Sequence, residues 1–295
     1  MDVELIADGL GFPEGPVVMA DGSVIVVEIA ASRVSRVSRC WNGHSGEARR
    51  ETICEIGGGP NGAAIGPDGA LYICNNGGMD HVTMSSAHGP GAQGRIERLD
   101  LATGKVERLY DSCDGVSLEG PNDLVFDADG RIWFTDLGKS YNRTHTASGL
   151  FTALPDGSSI TAINRDALSY NGVGLSPDGS TLYVADTQKA RLYRYDRKVA
   201  AQRPTWVASA PGDVMFDSLA VTAAGNICVG TLRQGGITTV TPDGKTSFRT
   251  FDDRYVTNIA FGGEDMMDAY LTLSTTGRLV KVRWDEPGLR LNFTA

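Results

Sequence analysis

No stretch of this 295-residue chain approaches 18 consecutive apolar residues, and its N-terminus carries neither a basic region nor an apolar signal core. A membrane span and a secretory leader are therefore not expected, and a cytoplasmic location is. Positive charge is in deficit, since 27 Lys and Arg against 36 Asp and Glu leave a formal charge of −9. That balance argues against nucleic acid or an anionic membrane as a partner. Histidine is scarce: His44, His81, His88 and His145 all sit among polar or Gly-, Ser- and Thr-rich neighbours, where ordinary exposed histidines belong. The five cysteines never fall at Cys-x-x-Cys spacing, which argues against a zinc–thiolate site, and Cys74 and Cys228 lie in apolar strands as small hydrophobes. No Gly-x-Ser-x-Gly elbow occurs, so a Ser-His-Asp hydrolase is not expected. Low-complexity runs and linkers are also missing, and the 37 Gly and 12 Pro are spread among turns. A single domain over residues 1–295 is the expectation.

What the chain does have is a repeat. A Glu, Asn or Asp stands before a short apolar strand and a turn at Glu14, Asn61, Asn122, Asn171, Asp217 and Asn258, and five of these six put a glycine eight residues later. Most are followed by a second strand rich in aromatic and β-branched residues, such as Leu71-Tyr-Ile-Cys74 and Arg131-Ile-Trp-Phe-Thr135. The unit is a β-hairpin, turning at Asp21-Gly22, Asp68-Gly69, Asp129-Gly130 and Asp178-Gly179. Its spacing of 41 to 61 residues suits blades of about four strands, so the fold expected is all-β, a six-bladed β-propeller. Residues 2–7 and 278–284 both alternate like strands, and pairing them in the last blade would close the ring. The longest insertion, between Asn75 and Arg95, reads as a wall or lid over one mouth of the channel.

Equivalent residues of a propeller's innermost strands meet around its axis. All six ring positions here carry a side-chain oxygen, two as carboxylates and four as carboxamides. Asn and Asp also initiate turns, but the anchors stand at the opposite end of the strand from the turn, and Glu14 is a poor turn former. Such a ring suits a hard divalent cation, and oxygen-only ligation favours calcium, magnesium or manganese over zinc.

Phe12-Pro-Glu-Gly-Pro16, Gly120-Pro-Asn-Asp-Leu124 with Ile132-Trp-Phe-Thr-Asp136, Asn171-Gly with Ser176-Pro-Asp-Gly-Ser-Thr-Leu-Tyr-Val-Ala-Asp186, and Thr257-Asn-Ile-Ala-Phe-Gly-Gly263 together resemble the regucalcin/gluconolactonase/luciferin-regenerating enzyme family. The match runs through essentially the whole chain in order. The resemblance implies one divalent metal ion in the channel, with calcium first and magnesium, manganese, zinc or iron as alternatives, and hydrolysis of a small-molecule lactone. It maps the metal ligands onto Glu14, Asn122, Asn171 and Asp217, and makes Asp217 both ligand and general base. Asn61 and Asn258 would then orient these ligands or bind substrate. Asp123 is the weaker base, because on an extended strand its side chain should face away from the axis when Asn122 faces it.

Substrate choice is less constrained. Sugar-lactonase relatives often place an arginine where this chain has Gly120. Tyr170, Phe216 and the neighbouring Met215 suggest a less polar pocket, and Arg233 is the nearest basic candidate. These residues lean the expectation toward a lactone other than a simple aldonolactone. A cation-binding propeller without turnover, a hydrolase of other esters such as organophosphates, and a metal-free propeller resembling strictosidine synthase are the alternatives.

Overall fold

Six four-stranded antiparallel sheets surround a common axis in the computed structural model, which describes residues 2–38, 49–80, 83–199 and 203–294. From the axis outward, blade one is Pro13–Val18, Val24–Glu28, Arg33–Ser38 and Arg49–Glu55. Blade two is Pro60–Ile65, Leu71–Asn75, Arg95–Leu99 and Val106–Tyr110, and blade three is Pro121–Phe126, Ile132–Asp136, Ser148–Ala153 and Ile160–Ala167. Blade four comprises Tyr170–Leu175, Thr181–Asp186, Arg191–Asp196 and Thr205–Ser209, and blade five Met215–Val221, Ile227–Leu232, Gly236–Val240 and Thr246–Thr250. Blade six takes Val256–Gly262, Asp268–Leu273 and Arg278–Arg283, and its outermost strand is Glu4–Ala7 from the other end of the chain. Glu4 stands opposite Lys281, and Leu5 opposite Val280. The expected closure is therefore present. Arg39, Cys40, His44 and His81 lie outside the described residues.

Six hydrophobic clusters fill the six seams between neighbouring blades. The second strands explain why. Their side chains alternate between two buried faces, so a continuous apolar run feeds two cores at once. Leu71 and Ile73 pack toward blade one, while Tyr72 and Cys74 pack toward blade three. Ile132 and Phe134 likewise join blade two, and Trp133 joins blade four. Cys74 and Cys228 are fully buried in such seams, and burial pushes the Cys228 thiol up to about 12. No helix among the described residues is long and apolar enough to cross a membrane.

Every inner strand carries a register shift near its start. It falls between Glu14 and Val17, Pro60 and Ala63, Pro121 and Leu124, Tyr170 and Val173, Phe216 and Leu219, and Val256 and Asn258. A bulge of this kind frees residues from ladder pairing and re-aims their side chains. It also brings neighbouring inner strands into backbone contact. A Cβ added at Gly172 would meet the Asp217 carbonyl oxygen at 2.7 Å and Ser218 Cα at 2.8 Å, and one at Gly62 would meet the Asn122 carbonyl oxygen at 2.5 Å. Gly172→Ala is thus expected to cost about 1–3 kcal/mol through overpacking, read as a lower denaturant midpoint, and an unchanged midpoint would refute the close approach.

Candidate metal centre and active site

The bulges set the ring. Glu14, Asn61, Asn122, Asn171 and Asp217 occupy matching bulge positions and are all buried. The sixth anchor departs from the expected pattern. By register, Thr257 is the residue that matches Asn122, and Asn258 matches the following position, held by Asp123 in blade three. Both side chains accept from the N–H of the next residue: Leu124 N–H donates to Asp123 Oδ1 at 2.8 Å, and Ile259 N–H donates to Asn258 Oδ1 at 2.8 Å.

Asp123 is the main correction to the sequence reading. Simple strand alternation would turn it away from the axis, but the bulge turns both Asn122 and Asp123 inward. Asp123 is 7% exposed, lines the axial cavity, and interacts electrostatically with both Glu14 and Asp217. Its counterparts are Gly15, Gly62, Gly172, Ser218 and Asn258, so one carboxylate stands where four of the other five blades hold a small residue. That substitution within the repeat was the available signal.

Three carboxylates from three blades therefore share one buried centre. Burial pushes Glu14 up to about 7, against hydrogen bonds from Asn258 Nδ2 at 3.0 Å and Gly15 N–H at 3.1 Å, while the Asp123 charge adds to the rise. Burial likewise pushes Asp123 up to about 7. Asp217 is driven well above the carboxylate range by burial first and by the Glu14 charge second, although the Asn171 amide and Ser218 N–H oppose this. None of the three forms an ion pair with a described Lys, Arg or His, and burying such charge uncompensated is costly.

The donor set fits a hard cation. Asn122 Oδ1 is buried without a hydrogen-bond partner, an expensive state for an amide oxygen that a cation would relieve. Among the described residues, no group of three or more His, Cys, Asp or Glu has metal-holding geometry by itself. An ion at this centre would have to draw on the Asn122 and Asn171 amides as well. Asn171 is fixed from behind, with its carbonyl accepting from the Thr135 hydroxyl and its Oδ1 facing Ser218 Oγ at 3.4 Å.

The substrate-binding expectations divide. Asn61 lies in the ring, 7% exposed, and Asn258 is held by Glu14. Tyr170 and Phe216 do not reach the site. They stand just before their bulges, where the side chain turns into a seam: Tyr170 packs between blades three and four with its hydroxyl 2.7 Å from that of Tyr195, and Phe216 is fully buried between blades four and five. Arg233 is half-exposed, bonds Asp213, and lines a separate cavity with Arg254 and Phe248. The argument for an apolar pocket therefore loses its residues. Gly120 is also more than a missing arginine. Its N–H donates to Asp136 Oδ1 at 2.7 Å, and a Cβ there would meet the Gly138 carbonyl oxygen at 2.4 Å.

Below the ring, a cavity of about 730 Å³ runs toward the hairpin turns, with Asp123 and Asn258 at its inner end. Residues 289–292 and Thr294 border its outer mouth, where Asn292 Nδ2 donates to the Phe126 carbonyl at 3.0 Å.

A family model described as the SMP-30/gluconolactonase/LRE-like region matches residues 12–275. A gluconolactonase of Zymomonas mobilis is 26% identical over 207 residues, covering 64% of this chain and 52% of that protein. The lactonohydrolase oryL of Aspergillus oryzae is 26% identical over 255 residues, covering 75% and 56% respectively. This chain thus spans little more than half the length of these curated relatives. A solved gluconolactonase from Xanthomonas campestris superposes with a TM-score of 0.76 at 22% identity, covering 95% of this chain and 89% of that one. A calcium-binding protein, regucalcin, from Agrobacterium tumefaciens does so with a TM-score of 0.75 at 17% identity over 98% of each chain. At these identities the structural likeness is one of fold.

Proposed function

Because the chain belongs to the SMP-30/gluconolactonase/LRE-like family, we propose that it is a divalent-metal-dependent hydrolase that opens a lactone, acting at the buried ring of Glu14, Asn122, Asn171 and Asp217. The observation that carries this reading is the unpartnered Asn122 Oδ1 beside three carboxylates that no described cation neutralises. Glu14 and Asp217 would hold the ion as charged ligands and Asn122 and Asn171 as neutral ones, with calcium the first candidate on grounds of hardness. A bound divalent ion supplies a polarised ester carbonyl and a more acidic water.

The protein's own groups do the rest. Asp217 is the base, since a carboxylate has two oxygens and one can accept a proton from attacking water while the other stays toward the ion site. Asn171 and the Ser218 N–H keep it in place. Glu14 is oriented by Asn258 and by Thr257, whose hydroxyl is also linked to Thr272 at 2.8 Å and Ser274 at 2.6 Å. Asp123 places a third negative charge next to Glu14 and Asp217, which raises the affinity of both for a cation. The lean toward non-sugar lactones is withdrawn, because Tyr170 and Phe216 lie in blade seams.

The test is a lactone panel including aldonolactones, offered to chelator-stripped protein with and without each of several divalent ions while acid release is followed. Ion-dependent turnover of any member is expected. If an ion binds and raises the melting temperature while no lactone or other ester is cleaved, the protein is a cation-binding propeller instead.

A further inference from the structure

The mouth at the ring end of the channel is lopsided. The loops joining second to third strands there are residues 29–32, 187–190, 233–235 and 274–277 in blades one, four, five and six, but the far longer 137–147 in blade three and, in blade two, a connection whose described residues are 76–80 and 83–94. The two long loops hold each other. Ser86 N–H donates to the Ser140 carbonyl at 2.8 Å, Ser140 N–H donates to Ser86 Oγ at 3.0 Å, and the His88 ring stacks on Tyr141 with centroids 4.3 Å apart. Beneath them Lys139 is only 4% exposed, and its ammonium donates to the Ala92 carbonyl.

A lysine on a surface loop ordinarily extends into water, and burying its charge is costly unless partners compensate. Burial pulls the Lys139 ammonium below the usual lysine range, and groups from neighbouring segments offset part of that. Ala92 belongs to the blade-two loop, Lys139 to the blade-three loop, and the charges of Glu119 and Asp136 also favour the ammonium. Asp136 is itself anchored by the N–H groups of Glu119, Gly120 and Gly138 at 2.7–2.9 Å. Gly120 stands two residues before the ring residue Asn122, so the ammonium joins the tall loops to the backbone that feeds the ring. The ring chemistry has no use for this lysine.

We infer that Lys139 is a positioning residue whose ammonium pins the blade-two loop against blade three as a fixed wall, leaving the mouth open on the side of blades four, five, six and one. The wall screens lactones by the bulk of their ring substituents. This selectivity rests on the proposed hydrolase reading; the pinning does not.

The experiment uses the full chain with the ion that supports turnover, as wild type, Lys139→Met, Lys139→Arg, and a variant with residues 83–90 replaced by Gly-Gly. Hydrogen exchange at the Ser86, Ala87 and Ala92 amides is read beside kcat/KM for γ-butyrolactone and γ-phenyl-γ-butyrolactone. In Lys139→Met those amides should exchange at least about tenfold faster while Val125 and Ile259 are unchanged. The ratio of bulky to small substrate should rise about fivefold through KM in Lys139→Met and in the shortened variant, and remain at the wild-type value in Lys139→Arg. Unchanged exchange in Lys139→Met overturns the pinning. A wild-type substrate ratio in the shortened variant overturns the screening, even if Lys139→Met fails to fold. Wild-type protein without lactone turnover would refute the hydrolase reading and the selectivity with it, while exchange would still decide the pinning.

Discussion

Asp217→Asn is expected to lower kcat on any lactone substrate by about a thousandfold or more, because it removes the base and a charged ligand in one step. Size and hydrogen-bonding reach are nearly preserved, so the fold should survive. The same change should weaken cation binding, measured as a rightward shift in the calcium dependence of the melting temperature. Its effect without the ion has the opposite sign. Asp217 is buried beside Glu14 and Asp123, and each charge in that group raises the cost of the others. Stripped of metal at pH 8, Asp217→Asn should therefore melt about 2–4 °C above the stripped wild type, the shift expected for 1–2 kcal/mol in a protein of this size. A variant that keeps turnover within about tenfold of wild type would remove Asp217 from the mechanism.

Metal-stripped wild-type protein should lose stability as pH rises, contrary to the usual behaviour of carboxylates in folded proteins. Glu14 moves from 4.5 to about 7 on folding, and Asp123 from 3.8 to about 7. The folded state thus holds these protons more tightly than the unfolded state. Stability from this source is fully present below about pH 4, is lost progressively as pH rises to about 7, and changes little beyond that. A saturating divalent cation binds the deprotonated ring, so its presence should flatten or reverse the trend. Melting temperatures at pH 5, 6, 7 and 8, with chelator and with excess calcium, make the comparison. If the stripped protein were as stable at pH 8 as at pH 5, or if calcium changed nothing, the uncompensated charge at the ring would not govern the stability of the metal-free fold.

The sequence reading located the hairpins, the six blades and the closing strand because these depend on period, turn residues and alternation, which are local properties. Leu71 to Cys74 shows why that is enough for the scaffold: four consecutive apolar residues can serve two seams without ambiguity about which faces are buried. The site was less accessible. Asp123 lies in a bulge where strict alternation fails, whereas Tyr170 and Phe216, which the sequence places near the site only by their nearness to Asn171 and Asp217, follow alternation into the seams. The true direction of Asp123 follows from ladder pairing with the second strand, which no single segment reveals. Blade six differs in the same way, since its register shift falls at Thr257, so that counted from the bulge the threonine stands first and the Asn258 amide second. Lys139 escaped notice because its partners, Ala92 and the charges of Glu119 and Asp136, come from different loops.

The pairing of Glu4–Ala7 with Arg278–Arg283 also dictates when this molecule can first exist as a closed object. Glu4–Ala7 must wait for the five blades between it and Arg278–Arg283 before its partner edge is available, and bringing such distant segments together is a slow, high-separation step. Five blades can assemble during synthesis, but the sixth acquires its outer strand only after the residues beyond 278 have been released. Until then the edge of Arg278–Arg283 is open, and the strand it would accept from a second nascent copy is identical to its own. Crowding on the ribosome should therefore favour exchanged dimers over any other misassembly, with each copy lending its first strand to the other's last blade.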